Sequence, residues 1–268
     1  FFPYKEEVTG SNPVAPTSYH YVNKYLKIIF VNVKLKKMTS TKKIVSIIVP
    51  FYNEKETLKK SIQNLLSQKF NKEIILINDG SGDGSEEIAR SLVKEYKNIH
   101  LIENPINKGK GYALRLGIAK ASGYLIGIFD ADLEYSASDL EKLIEAMNDS
   151  NLDFACGSRF IGNASRNNIY FRTFWANKLM SLLFTYVHKN KITDIAVCLK
   201  VFKKEILQNI KLEKDGFAIE VELIAKALSK TTKYREIPIS YNARSYEEGK
   251  KIVFLDGIKY IFAIFRYK

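Results

Sequence analysis

From residue 44 onward the chain alternates between short apolar runs and segments whose apolar residues recur at helical spacing. Residues 44–51 are apolar almost throughout, as a strand buried on both faces must be. Leu58, Ile62, Leu65 and Leu66 follow at helical spacing, then 73–78 as a second run, then Ile88, Leu92, Val93 and Tyr96. Residues 99–103, 111–120 and 125–130 continue the series as strand, helix and strand. Leu140, Leu143, Ile144 and Met147 mark a further helix, which Ser138 and Glu141 open as a capping box. This rhythm predicts an α/β domain with right-handed crossovers, in which ligands bind outside the carboxyl ends of the strands.

The second half is less regular. Residues 154–157 read as a strand, 161–168 as a polar loop and 171–187 as an aromatic-rich helix. Residues 197–202 and 234–241 read as strands around a helix near 218–229. Residues 1–37 stand apart: 8–17 are turn-rich and lack helix or strand periodicity. They look like the conceptual translation of the end of a transfer-RNA gene. Met38, followed by Thr39-Ser40-Thr41-Lys42-Lys43, reads as the initiation point, so 1–37 are expected to be a non-native or disordered extension.

Composition narrows the chemistry. The 268 residues are 46% hydrophobic, enough for one large core, and the net charge is +13. Such an excess suits nucleic acid, acidic lipid or phosphorylated substrates, and equally a plain solvated basic surface. Two cysteines with apolar neighbours, Cys156 and Cys198, fit a reducing compartment. His20, His100 and His188 are widely spaced, which argues against a histidine-based zinc site or a Ser-His-Asp triad. No run reaches the roughly 18 apolar residues of a spanning helix. The run 28–33 is short, flanked by Lys24, Lys27 and Lys34, and lacks a signal-peptide cleavage site. The expected location is the cytoplasm or the cytosolic face of a membrane.

Three polar clusters fall at predicted strand ends: Pro50-Phe51-Tyr52-Asn53-Glu54, Asn78-Asp79-Gly80-Ser81-Gly82-Asp83-Gly84-Ser85 and Asp130-Ala131-Asp132-Leu133-Glu134. Each alone reads as an ordinary turn, and the third also as the acidic start of a helix. Together they gather carboxylates along one sheet edge. A nucleoside diphosphate would be repelled there without a cation, and Mg²⁺ or Mn²⁺ takes oxygen ligands from one or two carboxylates plus substrate phosphates. Asp132, supported by Glu134, is the expected metal residue, with Asp130 positioning sugar or ribose.

These clusters resemble those of family-2 glycosyltransferases, above all the polyprenyl-phosphate sugar transferases similar to dolichol-phosphate mannosyltransferases. Matching elements continue in order: Asn107-Lys108-Gly109-Lys110-Gly111, Gly157-Ser158-Arg159, Asp215-Gly216-Phe217 with Glu220 and Glu222, and 244–251. The resemblance spans roughly 44–260. It implies the type-A glycosyltransferase fold, a Rossmann-like mixed, mostly parallel sheet flanked by helices. It implies a catalytic domain over 38–245, followed by a basic amphipathic segment, 246–268. Pro50, Tyr52 and Glu54 would hold the nucleoside, Asp79 a base edge, and Lys108, Asp130 and Ala131 the donor. Arg159, Arg172 and Arg244 are implied at the donor diphosphate or an acceptor phosphate, where guanidinium binds bidentately. Asp130, Asp132, Arg159 and Arg244 form the implied catalytic set. Glu220 and Glu222 cannot both face the site from one helix.

Asn78 stands where many relatives carry a second Asp, and 195–199 is more apolar than usual. The Gln-x-x-Arg-Trp motif of processive synthases is missing, and the single tryptophan is Trp175, so polymerisation is not expected. The resemblance implies an inverting, single displacement. An alcohol acceptor needs a general base, whereas a phosphate monoester is already nucleophilic. No carboxylate stands out as that base, which favours a polyprenyl-phosphate acceptor. The alternatives are a saccharide or lipid-headgroup hydroxyl, with Asp194, Glu220 or Glu222 as base, and a non-catalytic nucleotide-sugar-binding protein. No nucleic-acid-binding motif accompanies the basic residues. At the C-terminus Ile258, Ile261, Phe262 and Phe265 form an apolar face beside Lys259, Arg266 and Lys268. That pattern suits an anionic membrane surface and, equally, a helix closing the core.

Overall fold

The apolar run that opens the alternation forms β1 (Val45–Phe51), an interior strand of a seven-stranded sheet. The computed structural model describes residues 44–163, 165–167, 171–244 and 254–268. The expectations for 1–37 and for Met38, and most of the 244–251 cluster, lie outside the described residues.

β2 (Lys72–Asp79), β3 (Ile99–Asn104) and β4 (Leu125–Ile128) join β1 in parallel, with β2 and β4 on either side of it. The sheet runs β3-β2-β1-β4-β7-β5-β8, where β5 is Phe154–Ser158, β7 Lys200–Lys203 and β8 Tyr234–Pro238. β7 is antiparallel to both β4 and β5, whereas β5 and β8 are parallel, so the sheet is mixed and mostly parallel. A second, two-stranded sheet pairs β6 (Arg166–Asn167) with β9 (Tyr241–Asn242).

The helices are α1 (Leu58–Leu66), α2 (Ser85–Glu95), α3 (Lys110–Lys120), α4 (Ala137–Asp149), α5 (Phe171–His188), α6 (Lys204–Gln208), α7 (Ile219–Leu228) and α8 (Phe254–Arg266). The core is the inner faces of these helices against the sheet: Ile47, Ile48, Ile74, Leu76, Ile126 and Phe154 are fully buried, as are Leu58, Leu114 and Leu140 over them. α3 packs close because Gly117 faces β1 and β2, where a Cβ would overlap the side chains of Ile48 and Ile77.

Three local expectations change. The cap of α4 is Ser136, whose hydroxyl accepts from the Ser138 N–H, while Glu141 accepts from the Lys69 N–H at 3.0 Å. Two residues upstream of the expected cap, Ser136 is the one with extended backbone, which an N-cap requires. The polar loop 161–168 contains β6, too short to leave a periodic signal. The run 197–202 becomes strand only from Lys200, a buried lysine whose ammonium pairs with Glu220 and the Val197 carbonyl. α8 is both closing helix and surface: Tyr260, Ala263 and Ile264 are buried, while Leu255, Phe262 and Phe265 are exposed. It packs on α5 and α7.

Candidate active site

The sheet reverses its strand order between β1 and β4, and the loops after β1, β2 and β4 converge at that switch point. The first two loops are one unit. The Asn53 N–H donates to Ser81 Oγ at 3.0 Å and the Gly82 N–H to Asn53 Oδ1 at 3.0 Å. Glu54 N–H reaches Ser85 Oγ at 2.8 Å and Lys55 N–H reaches Asp83 Oδ2 at 3.0 Å. Asn53 has φ of 50°, a conformation asparagine tolerates better than most residues.

Asp79 fixes the glycine-rich loop to this unit. Its Oδ1 accepts from Asn104 Nδ2 at 2.9 Å and the Lys108 N–H at 3.0 Å, and its Oδ2 accepts from the Gly109 N–H at 2.7 Å. From the other side the Asp215 carbonyl accepts from the Gly111 and Tyr112 N–H groups, at 2.5 and 3.2 Å. Gly109 has φ of 98°, and a Cβ on Gly111 would overlap the Lys214 carbonyl oxygen. The glycines and the Asp215-Gly216 cluster are therefore two halves of one contact.

At the end of β4 the carboxylates crowd. Lys110 Nζ bridges Asp130 Oδ2 and Glu220 Oε1, both at 2.8 Å, and Glu220 passes its other oxygen to Lys200. Although burial works against it, Asp130 and Glu220 hold the Lys110 ammonium well above the usual lysine range. Asp132 Oδ1 accepts from the Glu134 N–H at 3.0 Å, and its Oδ2 lies 3.3 Å from Arg244 Nη2. Burial, then the negative charges of Asp130 and Glu134, push the Asp132 carboxyl up to about 7 against the pull of Arg244. Glu134 clips this loop to β9: its carboxylate accepts from the Tyr241 hydroxyl at 2.8 Å and the Arg244 N–H at 2.9 Å, and its carbonyl from the Asn242 N–H at 3.0 Å. Leu133 between them has φ of 64°, a strained value for leucine.

Arg159 and Arg244 are both engaged. Arg159 forks onto Asp194, Nε to Oδ2 at 2.7 Å and Nη2 to Oδ1 at 2.8 Å, and lies 4.8 Å from the centre of the Tyr241 ring. Arg244 forks onto Glu54, at 2.9 and 3.2 Å. Arg172, exposed on the first turn of α5, has no ion-pair partner among the described residues. All three line one cleft of ≈ 640 Å³.

Among the described residues no three His, Cys, Asp or Glu side chains converge as a ready metal cage. The donor set still fits a hard divalent cation. Asp132 offers carboxylate oxygens whose ionised form is penalised by burial and by two neighbouring carboxylates, and a cation there would offset that penalty. Such a cation fills the rest of its shell with phosphate oxygens and water.

The family model of glycosyl transferase family 2 matches residues 46–211. The chain belongs to that family. It is 31% identical over 237 residues to the dolichol-phosphate mannosyltransferase of Pyrococcus furiosus, covering 84% of this chain and 64% of that one. It is also 31% identical over 215 residues to dolichyl-phosphate beta-glucosyltransferase ALG5A of Trichomonas vaginalis, covering 74% and 65%. The chain thus spans just under two thirds of each relative's length. Glucosyl-3-phosphoglycerate synthase from Mycobacterium tuberculosis, solved with Mn²⁺, uridine diphosphate and glucosyl-3-phosphoglycerate, shares the fold at a TM-score of 0.64, 15% identity, and 84% and 80% coverage.

The cleft gathers Pro50, Tyr52, Glu54, Asp79, Asp130, Ala131, Asp132, Glu134, Arg159, Arg172, Glu220 and Arg244. Lys108 is not among its lining residues: its ammonium sits 4.5 Å from the centre of the Tyr112 ring. The lysine that lines the cleft is Lys110, which sequence reasoning passed over although both stand in one loop. Only the phase of α3 against the sheet separates them. Glu222 turns away and accepts from the Glu213 and Lys214 N–H groups, both at 2.8 Å. Asp194 is fully buried under Arg159, out of the cleft lining.

Proposed function

We propose that this family-2 protein is an inverting glycosyltransferase. It moves a sugar from a nucleotide-sugar donor, with Mg²⁺ or Mn²⁺, to a polyprenyl phosphate at the cytosolic face of a membrane. The observation that carries the reading is one cleft lined both by Asp130, Asp132 and Glu134 from the loop after β4 and by Arg159, Arg172 and Arg244. The names of the two relatives support the acceptor class.

In this reading Pro50 and Tyr52 hold the nucleoside, and Lys110 fixes the Asp130 carboxylate against the sugar or ribose. Asp79 contributes by holding the backbone of the glycine-rich loop at the donor. Asp132 is the residue that would hold the cation, with Glu134 steering its loop. When bound, the cation neutralises the diphosphate as the sugar–oxygen bond breaks. Arg172, an exposed residue of the cleft lining, orients the acceptor phosphate, whose oxygen attacks opposite the leaving group. A phosphate acceptor also suits the carboxylates. Glu220 is held between Lys110 and Lys200 and Asp194 by Arg159, so neither is placed as a ready base for a hydroxyl acceptor.

The membrane part rests on exposed apolar residues beside the cleft. α5 presents Phe171, Trp175, Leu179, Leu182 and Tyr186 outward, and neighbouring α8 presents Leu255, Phe262 and Phe265. His188 joins the two helices through the Ile264 carbonyl at 2.9 Å. Lys178, 5.5 Å from the Trp175 ring, and Lys259 supply the basic flank that an anionic interface attracts. Among the described residues no helix is long and apolar enough to cross a membrane. The deciding experiment is a nucleotide-sugar panel with a polyprenyl-phosphate acceptor, read by product mass. Transfer to a hydroxyl acceptor, with polyprenyl phosphate inert throughout, overturns the acceptor assignment.

A further inference from the structure

Arg244 sits where a cation is wanted. Its Nη2 is 3.3 Å from Asp132 Oδ2, and its Glu54 contacts are 2.9 and 3.2 Å. The guanidinium is thus the only basic side chain the described ion pairs place on Asp132, and it neutralises the carboxylate that would otherwise face Asp130 and Glu134 uncompensated. Nη2 is shared between Asp132 and Glu54 while Nη1 is on Glu54 alone, so Arg244 can leave Asp132 with Nη1 still on Glu54. Its Nε is buried without a hydrogen-bond partner among the described residues, a donor still in need of an acceptor. The backbone carries the same connection: the Glu134 carboxylate that would turn toward a cation beside Asp132 also accepts the Arg244 N–H.

We propose that Arg244 competes with the divalent cation for Asp132. Displaced from Asp132, Arg244 keeps Nη1 on Glu54 and turns Nη2 to a phosphate oxygen, which also satisfies Nε. This rests on the metal-dependent reading above and adds an order to it: cation binding and exposure of the phosphate-binding fork are one event. By linkage, a phosphate group that draws Arg244 away tightens the cation by the same factor.

The test measures the metal alone, without turnover. Mn²⁺ affinity is read by electron paramagnetic resonance in the wild-type protein and in Arg244→Gln, with thermal melts to establish that the variant is folded. Competition predicts binding about tenfold tighter in Arg244→Gln, within the usual span of coupled sites. Equal or weaker binding in the folded variant overturns the proposal and leaves the metal reading standing. Absence of Mn²⁺ binding in both proteins overturns both. A second measurement needs no variant beyond an assignment: guanidinium nitrogen resonances of ¹⁵N-arginine-labelled wild-type protein, with Arg244 assigned by its loss in Arg244→Lys. Saturating Mg²⁺ should move the Arg244 signal and leave that of Arg159, locked on Asp194, in place. An unmoved Arg244 signal overturns the proposal even if Arg244→Gln fails to fold.

Discussion

Asp194 and Arg159 meet as a two-pronged ion pair inside the domain, and Asp194 Oδ2 accepts from the Arg159 N–H as well, at 3.0 Å. One carboxylate therefore sets both the backbone at the end of β5 and the plane of the guanidinium that lines the cleft. A buried charge that loses its partner is worse placed than a pair that was never there.

Asp194→Ala leaves the Arg159 charge buried and should destabilise the protein by about 3–5 kcal/mol. The measurement is urea unfolding, in which the midpoint should fall with the slope unchanged. An effect as small as that of a surface ion pair, below about 1 kcal/mol, refutes this account of the site.

Asp132 gives a pH signature in metal-free protein. Its carboxyl is raised from 3.8 to about 7 by burial and by Asp130 and Glu134, so the folded state holds a proton that the unfolded chain releases. Stability contributed by that proton is present below the unfolded value and lost as pH rises from about 4 through 7. In chelator, Tm should fall across that window, and Asp132→Asn should flatten the fall. In the presence of metal the same variant should lose transfer by about a hundredfold or more while remaining folded.

The parts of this arrangement that repeat along the chain were legible in advance. Apolar runs at 44–51 and 73–78 could only be buried strands, and that placed three carboxylate clusters at one edge of the sheet. What sequence could not supply was the direction of single side chains within a loop. Lys108 and Lys110 are two residues apart, yet one lies over Tyr112 and the other under Asp130, because α3 begins at Lys110 and its phase is set by Gly117 packing on the sheet. Pairings between distant segments were equally hidden: Glu54 and Arg244 are 190 residues apart, and no periodicity relates them.

The apolar surface of α5 and α8 is testable by point substitution. Removing residues 257–268 would strip Tyr260, Ala263 and Ile264 from the core as well, and so would report folding rather than docking. Phe262→Ser and Trp175→Ser change exposed positions only, 71% and 51% accessible. Each should weaken binding to phosphatidylserine-containing vesicles by about fivefold or more, since an inserted aromatic contributes on the order of 1–2 kcal/mol. Thermal melts should stay within about 2 °C of wild type. Unchanged vesicle sedimentation in the double variant would remove the membrane from the proposed function.

Arg172 gives the sharpest separation of donor from acceptor. Arg159 is fixed by Asp194 and Arg244 is held by Glu54, so Arg172 is the cleft arginine whose fork has no ion-pair partner among the described residues. It stands at the start of α5, next to the exposed Phe171, where a lipid phosphate would arrive with its chain on the apolar side. Arg172→Lys keeps the charge and loses the planar pair of donors. It should lower kcat/KM for polyprenyl phosphate by about tenfold, equivalent to about 1.4 kcal/mol of transition-state stabilisation. Donor affinity, read by calorimetry in the absence of acceptor, should change by less than about twofold, because no donor contact is assigned to this side chain. A parallel loss of donor affinity would move Arg172 to the diphosphate, and the acceptor phosphate would then fall to the fork of Arg244 once it has left Asp132.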